Sequence, residues 1–546
     1  MPHKLWSAAV AVAGLLLVVL VGGSTCSGKQ APSGAAPGNP SLGLNSVPRV
    51  TVVAVTDWQA TLKPCGCTVD LQKGGVERIG HWLAALRQHD DSVLVVHAGS
   101  LVHDAEGLDL PGKQAQLALR QATFVQALDQ LGVAAVALSQ WDIDHGGAAA
   151  ARAYQTAKCA VLAAVTPANL PAVRPFLITR TASGVTVGVV ALSDDAATQT
   201  AALPATIAEL RRQGAQVVVA LANTGLRGAR KLARAVPGLD LIVVGQLDDK
   251  VEPLSEIERE GTTLLVHAAR HGAWVTATTL VPGGGATGAW QDAEAYLPNA
   301  VSELTDRRAA LDTQLTAALA KADLDKRGAA ATQLAVPFYK AQLAEFDKRI
   351  AAAQAAAGHP LPSGRLVAFR AVGLVWSAPT ERRLAELVAR YDQEVTVAAG
   401  KAAGVVAALS PGQPGYVGQA TCLACHAKAS AFARQDQHHH AWTTLQEANK
   451  TADLDCVPCH VTGFGKPGGS AFRHLDTLSA VQCEACHGPG SQHVAAPAKG
   501  VAGHLLPVSG ATCAQCHTAQ HSPQFAFDHF RKRLLVPGHG LPAAPP

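Results

Sequence analysis

The sequence predicts a multidomain protein in which an α/β layered domain is followed by a helical linker and a mostly α domain built around a repeated cysteine motif. Three observations lead to this prediction. The chain has 546 residues, which is too long for one ordinary domain. Residues 50–297 alternate short apolar runs with segments of helical periodicity. After residue 420, one five-residue motif occurs four times.

The N-terminus predicts export from the cytoplasm. A short basic start precedes an uncharged apolar run over residues 5–23, and Cys26 follows directly. Residues 1–26 are predicted to be a signal or membrane-anchor segment, and 27–49, rich in Gly, Pro and Ser, a flexible linker. The order of apolar run, cysteine and tether resembles a bacterial lipoprotein signal with Cys26 as the lipidated residue. The alternative is a signal or anchor in which Cys26 has no role. Either way we expect a periplasmic, outer-membrane or cell-surface protein.

Residues 50–297 predict a layered α/β domain with buried strands. Eight runs rich in Val, Ile and Leu have the composition of strands. They begin with TVVAV, SVLVVHAG and VAAVALS and continue through CAVLAAV, VTVGVVALS, QVVVALA, LDLIVVG and TTLLVHA. Helical spacing separates them, as in GGVERIGHWLAALRQ, AQLALRQATFVQALDQLG, PATIAELRRQG and GARKLARAV. Such alternation is typical of sheets covered by helices.

Residues 298–410 predict a helical linker. The stretch 298–357 is rich in Ala, Leu and Lys and is expected to form a helical hairpin. The segment SAPTERRLAELVARYDQEV predicts a further amphipathic helix, with Ser377 or Thr380 as its cap. These helices would act as a spacer or as a contact in a homo-oligomer. The turn-rich SPGQPG marks the boundary with the last domain, 416–546.

Composition narrows the possible partners. The net charge of +4 is too small to indicate binding to nucleic acid, and we expect none. We expect membrane association only through the N-terminal lipid or anchor.

The repeated motif is Cys-x-x-Cys-His, the attachment sequence of c-type haem. Two thiols bind the vinyl groups of one porphyrin, and the next residue then places its imidazole under the iron. Zinc ribbons and disulfides also use paired cysteines, but neither requires a histidine after every pair. We therefore expect four covalently bound haems. Their ligands are Cys422, Cys425 and His426; Cys456, Cys459 and His460; Cys483, Cys486 and His487; Cys513, Cys516 and His517.

The distal ligands are expected to be histidines. The only methionine is Met1, so no haem in this region can use a methionine ligand. Nine histidines remain in the region besides the four of the motifs, which favours bis-histidine haems. They are His438, His439, His440, His474, His493, His504, His521, His529 and His539.

Residues 416–540 resemble the cytochrome c-554 type of tetrahaem cytochrome. The resemblance extends beyond the four motifs to YVGQATCLACH, HHHAW, DCVPCHVTGFGKPGG, VQCEACHGPGSQH and FAFDHFRKRLLVPGH. It implies a mostly helical domain with closely packed haems that pass electrons to redox partner proteins, such as other cytochromes. Phe432 departs from the family's tryptophan, and the segment before His539 is short.

The resemblance also implies a ligand set. His493 would be the distal ligand of the haem on His426, His440 of the haem on His487, and His539 of the haem on His517. The haem on His460 would have no protein distal ligand and an open face.

The α/β domain resembles the exported 5′-nucleotidase type of calcineurin-like metallophosphoesterase. The similar segments are VTDWQATLKP, VLVVHAGS, LGVAAVALSQWD, VVVALANTG and GLDLIVVGQLD. Such enzymes hold two metal ions with Asp, Asn and His. Here Asp57 is the one position that clearly retains a metal-binding residue, so the resemblance implies a catalytically degenerate site. The positions where ligands are lost are Gln59, Ser100, Gln140, Trp141, Asn223, Gln246 and Asp248.

Two alternatives stay open in this domain. A remodelled metal site would use Asp142, Asp144, His145, Asp248 and Asp249, although these residues are also typical of solvated loops. Cys65 and Cys67 flank a glycine and could form a redox pair, bind a soft metal or belong to a structural turn. Cys159 lies in an apolar strand and is expected in the core.

The sequence therefore predicts an exported tetrahaem electron carrier with an inactive phosphoesterase-like scaffold, more an electron carrier than an enzyme. One alternative is a redox enzyme that acts on a small nitrogen or sulfur compound at an open haem or at Cys65 and Cys67. Another is a working metal-dependent hydrolase, against which the missing ligands argue.

Overall fold

The computed structural model describes most of the chain beyond its first forty residues. The described residues are 44, 47–64, 73–102, 110, 112–142, 144, 152, 154–163, 173–192, 196–247, 256–268, 270–284, 288–324, 326–401, 406–472, 474–496, 508–518, 522, 525–537 and 539–541. They form two compact units, Met1–His103 with Phe124–Ala385 and Asp104–Thr123 with Glu386–Pro546. Among the described helices, none combines the length and apolar character needed to cross a membrane. Cys26, Cys65, Cys67, His145, Asp248 and Asp249 lie outside the described residues.

The first unit contains two β-sheets, as the alternating pattern predicts. The strands of the first sheet, in spatial order, are β12 (Gln291–Asp292), β13 (Leu366–Gly373), β11 (Trp274–Val281), β1 (Val50–Val55), β2 (Val93–His97), β3 (Val133–Ala137) and β4 (Ala160–Leu162). Those of the second are β5 (Phe176–Arg180), β6 (Thr186–Leu192), β7 (Val217–Asn223), β8 (Leu241–Gly245), β10 (Thr263–Val266) and β9 (Glu258–Glu260). All eight predicted strands are present.

Parallel pairing sets where the strands end. Strands β1 to β4 are parallel to one another, and so are β6, β7, β8 and β10. Side chains from both sheets meet in one hydrophobic core that includes Val52, Val96, Val187 and Val219, all fully buried. The near-continuous Val and Leu runs follow from this burial, because parallel strands are covered on both faces.

The helices of the first unit follow the predicted segments. They are α1 (Val76–His89), α3 (Ala196–Arg212), α4 (Gly225–Ala235), α5 (Ala300–Leu324) and α6 (Lys326–Ala356). A helix α2 (Lys113–Leu131) begins in the segment grouped with the second unit. Apolar side chains of α3 and α4, such as Leu210 and Leu232, form a second core with β7 and β8. The predicted hairpin is present as α5 and α6, which pack on each other.

The predicted helical linker differs from the structure in two ways. Residues Leu366–Gly373 form β13, which pairs with β11 along eight residues and so belongs to the first sheet. Helix α7 (Arg382–Lys401) is present, but neither Ser377 nor Thr380 caps it. The carboxylate of Glu381 accepts from the Leu384 N–H at 2.8 Å. This bond satisfies one of the amides left unpaired at a helix start.

The second unit is mostly helical, as predicted, and its helices are short. They are α8 (Gln419–Cys425), α9 (Ser430–Gln435), α10 (Ala441–Glu447), α11 (Val457–His460), α12 (Cys483–His487), α13 (Ser491–Ala495), α14 (Gly510–Ala514) and α15 (Phe527–Leu534). A small sheet of β14 (Val536–Pro537) and β15 (Gly540–Leu541) follows. Helices this short are marginal alone, so packing and bound groups must stabilise this unit.

Candidate haem sites and the strand edge of the first unit

Each Cys-x-x-Cys-His motif lies on one helical turn. The His426 N–H donates to the Cys422 carbonyl at 2.9 Å, and the His517 N–H donates to the Cys513 carbonyl at 2.9 Å. The motif of His460 ends α11, and the motif of His487 forms α12. Residues separated by three and four positions share a helix face. The two thiols and the imidazole of every motif therefore project from one side, as attachment to one porphyrin requires.

Hydrogen bonds at Nδ1 orient several imidazoles. The Nδ1 of His460 lies 2.7 Å from the Ala441 carbonyl, and the Nδ1 of His517 lies 3.0 Å from Ser522 Oγ. The Nδ1 of His539 lies 2.6 Å from the Leu534 carbonyl. A donor bond at Nδ1 leaves Nε2 unprotonated, which is the common arrangement of a metal-binding histidine.

Ring contacts test whether the histidines fit haem. Two imidazoles that bind one metal ion from opposite sides have centroids about 6 Å apart, because each metal–nitrogen bond is about 2 Å and each ring adds about 1 Å. Three such pairs occur among the described residues. They are His426 with His493 at 6.2 Å, His487 with His539 at 6.4 Å, and His517 with His438 at 6.0 Å. The donor set therefore fits three bis-histidine haems.

The pairs agree only partly with the predicted ligand set. His426 and His493 are together, as the resemblance implies. His539 lies beside His487 rather than His517, and His438 lies beside His517. His440 makes no ring contact with His487. Its Nε2 lies 3.0 Å from the Arg434 carbonyl instead. Phe432 stacks on His539 at 4.0 Å, in place of the family's tryptophan.

His460 differs from the other three proximal histidines. Among the described residues, no imidazole lies in ring contact with it. Thr444 Oγ1 is 3.3 Å from its Nδ1, on the side already engaged with Ala441. Of the other spare histidines, His439, His474 and His529 make no ring contact with a proximal histidine, and His504 and His521 lie outside the described residues.

Two buried side chains, one within the third motif and one directly before it, were not predicted from the sequence to have a role. Glu484 is 3 % exposed, and its carboxylate accepts the N–H groups of Val417, Gly418 and Gly490 at 2.7–3.0 Å. Gln482 accepts the Gln419 N–H at 2.8 Å. These bonds hold the start of α8 against α12, and so hold the first motif against the third.

The thiols of different motifs adjoin one another. The Cys422 thiol hydrogen-bonds the Cys483 thiol, and the Cys459 thiol hydrogen-bonds the Cys516 thiol. The first attachment site therefore adjoins the third, and the second adjoins the fourth. The Cys486 and Cys513 thiols of the third and fourth sites are near enough to interact electrostatically.

Several polar residues meet at one edge of the two sheets. Asp57 follows β1, and Ser100 and Ser139 follow β2 and β3, while Asn223 ends β7 and Gln246 follows β8. All but Gln246 are nearly or fully buried. Carboxyl ends of parallel strands are where α/β proteins place their sites, so this edge is the candidate site of the first unit.

Hydrogen bonds within this edge engage the remaining polar groups. The Asp57 carboxylate accepts the Gln246 N–H at 2.8 Å and the Leu247 N–H at 3.2 Å. Asn223 Nδ2 donates to the Ala98 carbonyl at 3.0 Å and to Ser100 Oγ at 3.2 Å. Both Asp57 oxygens therefore accept backbone N–H groups, whereas Asn223 Oδ1 is buried and has no partner among the described residues.

The predicted alternative ligands are also engaged. Asp142 accepts the Leu101 and Val102 N–H groups at 2.7 and 2.9 Å, and Ser139 Oγ donates to it at 2.7 Å. Asp144 accepts from Gln140 at 2.8 Å. Within the described residues, no three His, Cys, Asp or Glu side chains are placed to share a metal ion.

Left-handed backbone marks the same edge. Asp57, Gln59, Ala60, Ser100 and Gln246 have φ between 46° and 59° although none is glycine. Such residues cluster at sites where the surrounding structure constrains them for a function. The strain marks this edge as a candidate functional site.

Cys159 is buried in the core at 9 % exposure, as predicted.

Burial makes Asp57 a source of pH dependence. Burial raises its pKa from 3.8 to about 6, against the opposing effect of its hydrogen bonds. The native state then binds a proton more tightly than the unfolded state between pH 4 and pH 6, so stability falls as pH rises through this window. The shift corresponds to roughly 3 kcal/mol of unfolding free energy.

We expect the difference between wild type and Asp57→Asn to show this. Urea unfolding followed by far-UV circular dichroism, from pH 4 to pH 7, should give wild type a downward slope that the variant lacks. Other titrating groups contribute equally to both proteins. Parallel curves would show that Asp57 is not the cause.

Comparison with known proteins bears on the second unit first. Residues 421–488, which include the first three motifs, match the family described as cytochrome c554 and c-prime. Cytochrome c-554 of Nitrosomonas europaea is 31% identical over 118 residues, which is 18% of this chain and 50% of that protein. The chain thus spans half the length of this curated relative.

Solved structures similar to the chain include phosphoesterases. The 5′-nucleotidase precursor from Thermus thermophilus has a TM-score of 0.42 at 16% identity. The matched region covers 64% of this chain and 59% of that protein. The calcineurin-like phosphoesterase YfkN from Bacillus subtilis has a TM-score of 0.34 at 16% identity. The matched region covers 42% of this chain and 84% of that protein. These are the two resemblances predicted from the sequence. The C-terminal region of the chain is similar to the cytochrome c554 and c-prime family, which implies covalently bound c-type haem and a role in electron transfer.

Proposed function

We propose that the chain is an exported tetrahaem electron carrier whose phosphoesterase-like domain is a catalytically inactive scaffold. The observation that carries this proposal is the set of imidazole pairs. Three proximal histidines face a second histidine at 6.0–6.4 Å, and each lies on a helical turn beside two free thiols. When bound, c-type haem supplies one-electron redox chemistry. The protein's part is to hold four haems close together and to fix their axial ligands.

The adjoining attachment sites support a relay. The sites form a path in the order first, third, fourth and second. Cys422 adjoins Cys483 and Cys516 adjoins Cys459, while Cys486 and Cys513 are near enough to interact electrostatically. Histidine ligation without methionine favours low potentials. The haem on His460 is then at one end of the path.

The hydrogen-bonded strand edge supports an inactive scaffold. A two-metal site needs several oxygen and nitrogen ligands free to bind. Here the Asp57 and Asp142 carboxylates accept backbone N–H groups, and Asn223 Nδ2 donates to Ser100 Oγ. Asn223 Oδ1 alone among these oxygens is buried without a partner, and one such oxygen is too few to hold two ions. We propose that hydrolytic activity is lost and that the domain serves as a docking scaffold.

Elemental analysis of the purified protein tests the haem count and the scaffold together. We expect about four iron atoms per chain, one for each motif, and no stoichiometric manganese or zinc. Washing with a chelator should leave the iron in place, because c-type haem is attached covalently. Two tightly bound divalent ions per chain would overturn the inactive scaffold, and fewer than four irons would overturn the tetrahaem assignment.

Export and partners belong to the same proposal. The apolar run before Cys26 favours a periplasmic or surface location with a lipid or peptide anchor, and the redox partners would be other cytochromes. The described helices do not add a membrane-spanning segment.

A second candidate is a redox enzyme that binds a small nitrogen or sulfur compound at the haem on His460. One observation favours it, since no described imidazole lies across from His460. A ferric spectrum with one high-spin haem beside three low-spin haems would support this candidate. Four low-spin haems would leave a pure electron carrier. The Cys65 and Cys67 pair remains a further possible redox site for this candidate.

A further inference from the structure

Three polar residues on one face of α2 contact a single short segment of the haem-binding region. Lys113, Gln116 and Arg120 are separated by three and four positions, so they share a helix face. They are 4 %, 3 % and 8 % exposed. The segment they contact is 452–455, which directly precedes Cys456, about 340 positions later in the chain.

Gln116 binds the backbone of this segment with both ends of its amide. Its Nε2 donates to the Ala452 carbonyl at 2.7 Å, and its Oε1 accepts the Leu454 N–H at 3.0 Å. Both backbone groups lie on residues that are nearly buried. A buried amide that bonds its partners through both its donor and its acceptor fixes their position more strictly than a single bond does.

Lys113 and Arg120 bind the carboxylates on either side of Leu454. Lys113 forms an ion pair with Asp455, and Arg120 pairs with Asp455 and, at 3.5 Å, with Asp453. The Arg120 Nε also donates to the Tyr391 hydroxyl at 3.0 Å. Lys450, a further cation near Asp453 and Arg120, adds to the positive charge around these two carboxylates.

The segment itself sets the start of α11. The Asp453 carbonyl accepts the N–H groups of Cys456 and Val457 at 3.0 and 2.9 Å, and the Asp453 side chain accepts the Asp455 N–H at 3.0 Å. The position of Asp453 therefore determines where the Cys456 thiol and the following turn to His460 lie. Leu110, just before α2, lies close to Gly465 beyond the motif.

From this geometry we propose that Lys113, Gln116 and Arg120 are positioning residues for the second haem site and set the redox potential of the haem on His460. They act through the segment 452–455, by holding the helix start and by balancing its two carboxylates. This inference rests on the proposed function, because it requires a haem at Cys456 and Cys459. It would make the haem at the end of the relay dependent on a helix from the α/β part of the sequence.

The test compares two variants with matched controls in the intact holoprotein. Gln116→Leu removes the amide without a charge change, and Gln114→Leu does the same at an exposed position of α2. Arg120→Met removes a buried cation, and Arg390→Met removes an exposed one on α7. The readouts are the ferric spin-state spectrum and the potential of each haem in a spectroelectrochemical titration.

We expect Gln116→Leu to change the spectrum of one haem of four. Arg120→Met should lower the potential of the same haem, because the unbalanced carboxylates stabilise the oxidised iron. Arg120→Lys should restore most of that potential, and both controls should match wild type. In protein that also carries Cys456→Ser and Cys459→Ser, and so lacks the second haem, Gln116→Leu and Arg120→Met should no longer change the spectrum or potential of any haem.

Each failure has its own meaning. If wild type carries no haem at the second motif, the proposed function fails at that site. If the haem is present but Gln116→Leu and Arg120→Met leave its spectrum and potential as in wild type, the positioning role is overturned. If Gln116→Leu does not accumulate, the comparison of Arg120→Met with Arg120→Lys decides, since equal potentials in these two would also contradict the proposal.

Discussion

Glu484→Ala should prevent the second unit from reaching its complete, four-haem form. The substitution leaves the buried N–H groups of Val417, Gly418 and Gly490 without their acceptor. Each unpaired buried group costs about 1–3 kcal/mol, so the total is roughly 3 kcal/mol or more. That is a large share of the stability of a typical domain, and the first motif would lose its support on the third.

A graded series checks this expectation. Glu484→Gln keeps one carbonyl acceptor and should lie between wild type and Glu484→Ala in haem absorbance per chain and in thermal midpoint. Glu447→Ala, which changes an exposed glutamate of α10, should behave as wild type. Equal haem content in Glu484→Ala and Glu447→Ala would show that the buried carboxylate does not organise the two motifs.

His539→Ala should convert one low-spin haem to high spin. The structure places this imidazole 6.4 Å from His487, with its Nδ1 held by the Leu534 carbonyl. The family resemblance instead implies that it serves the haem on His517. His438→Ala gives the complementary change, because His438 faces His517 at 6.0 Å. His529→Ala, at an exposed histidine of α15, is the control and should leave the spectrum unchanged.

A background without the fourth haem separates the two ligand sets. In Cys513→Ser/Cys516→Ser protein, His539→Ala should still create a high-spin haem if His539 serves His487. It should create none if His539 serves the missing haem, and that result would favour the family's pairing over the one in the structure. Should the background fail to fold, His438→Ala alone decides, since only the structural pairing predicts that it yields a high-spin haem.

Local patterns in the sequence were enough to predict most strands, and they are also the basis of the predicted attachment sites. Cys-x-x-Cys-His is complete within five residues, and a buried parallel strand carries its own apolar run. Strand β13 was not predicted, because Leu366–Gly373 becomes a strand only by pairing with β11, far earlier in the chain. Strand formation depends on such neighbours more than on intrinsic preference.

The same reason limits the prediction of axial ligands and supporting residues. Which of nine spare histidines faces which haem depends on how short helices pack, and no spacing encodes it. Glu484 lies between two cysteines, and from the sequence it would be taken for a solvent-exposed acid. In the structure it is buried and accepts three backbone N–H groups. From the sequence, Gln116 and Arg120 would be taken for ordinary polar residues of a helix in the α/β region. Their partners lie about 340 positions later in the chain, so local patterns do not reveal the contacts.

A reductive titration of the purified holoprotein tests the central claim most directly. A tetrahaem carrier with an inactive scaffold should take up about four electrons per chain, one for each Cys-x-x-Cys-His motif. All four should register as haem absorbance changes, and the electrons should return quantitatively to an added oxidant. Uptake of fewer than four haem-linked electrons, or haem that an acid–organic solvent extracts from the chain, would contradict the claim of a covalent four-haem relay.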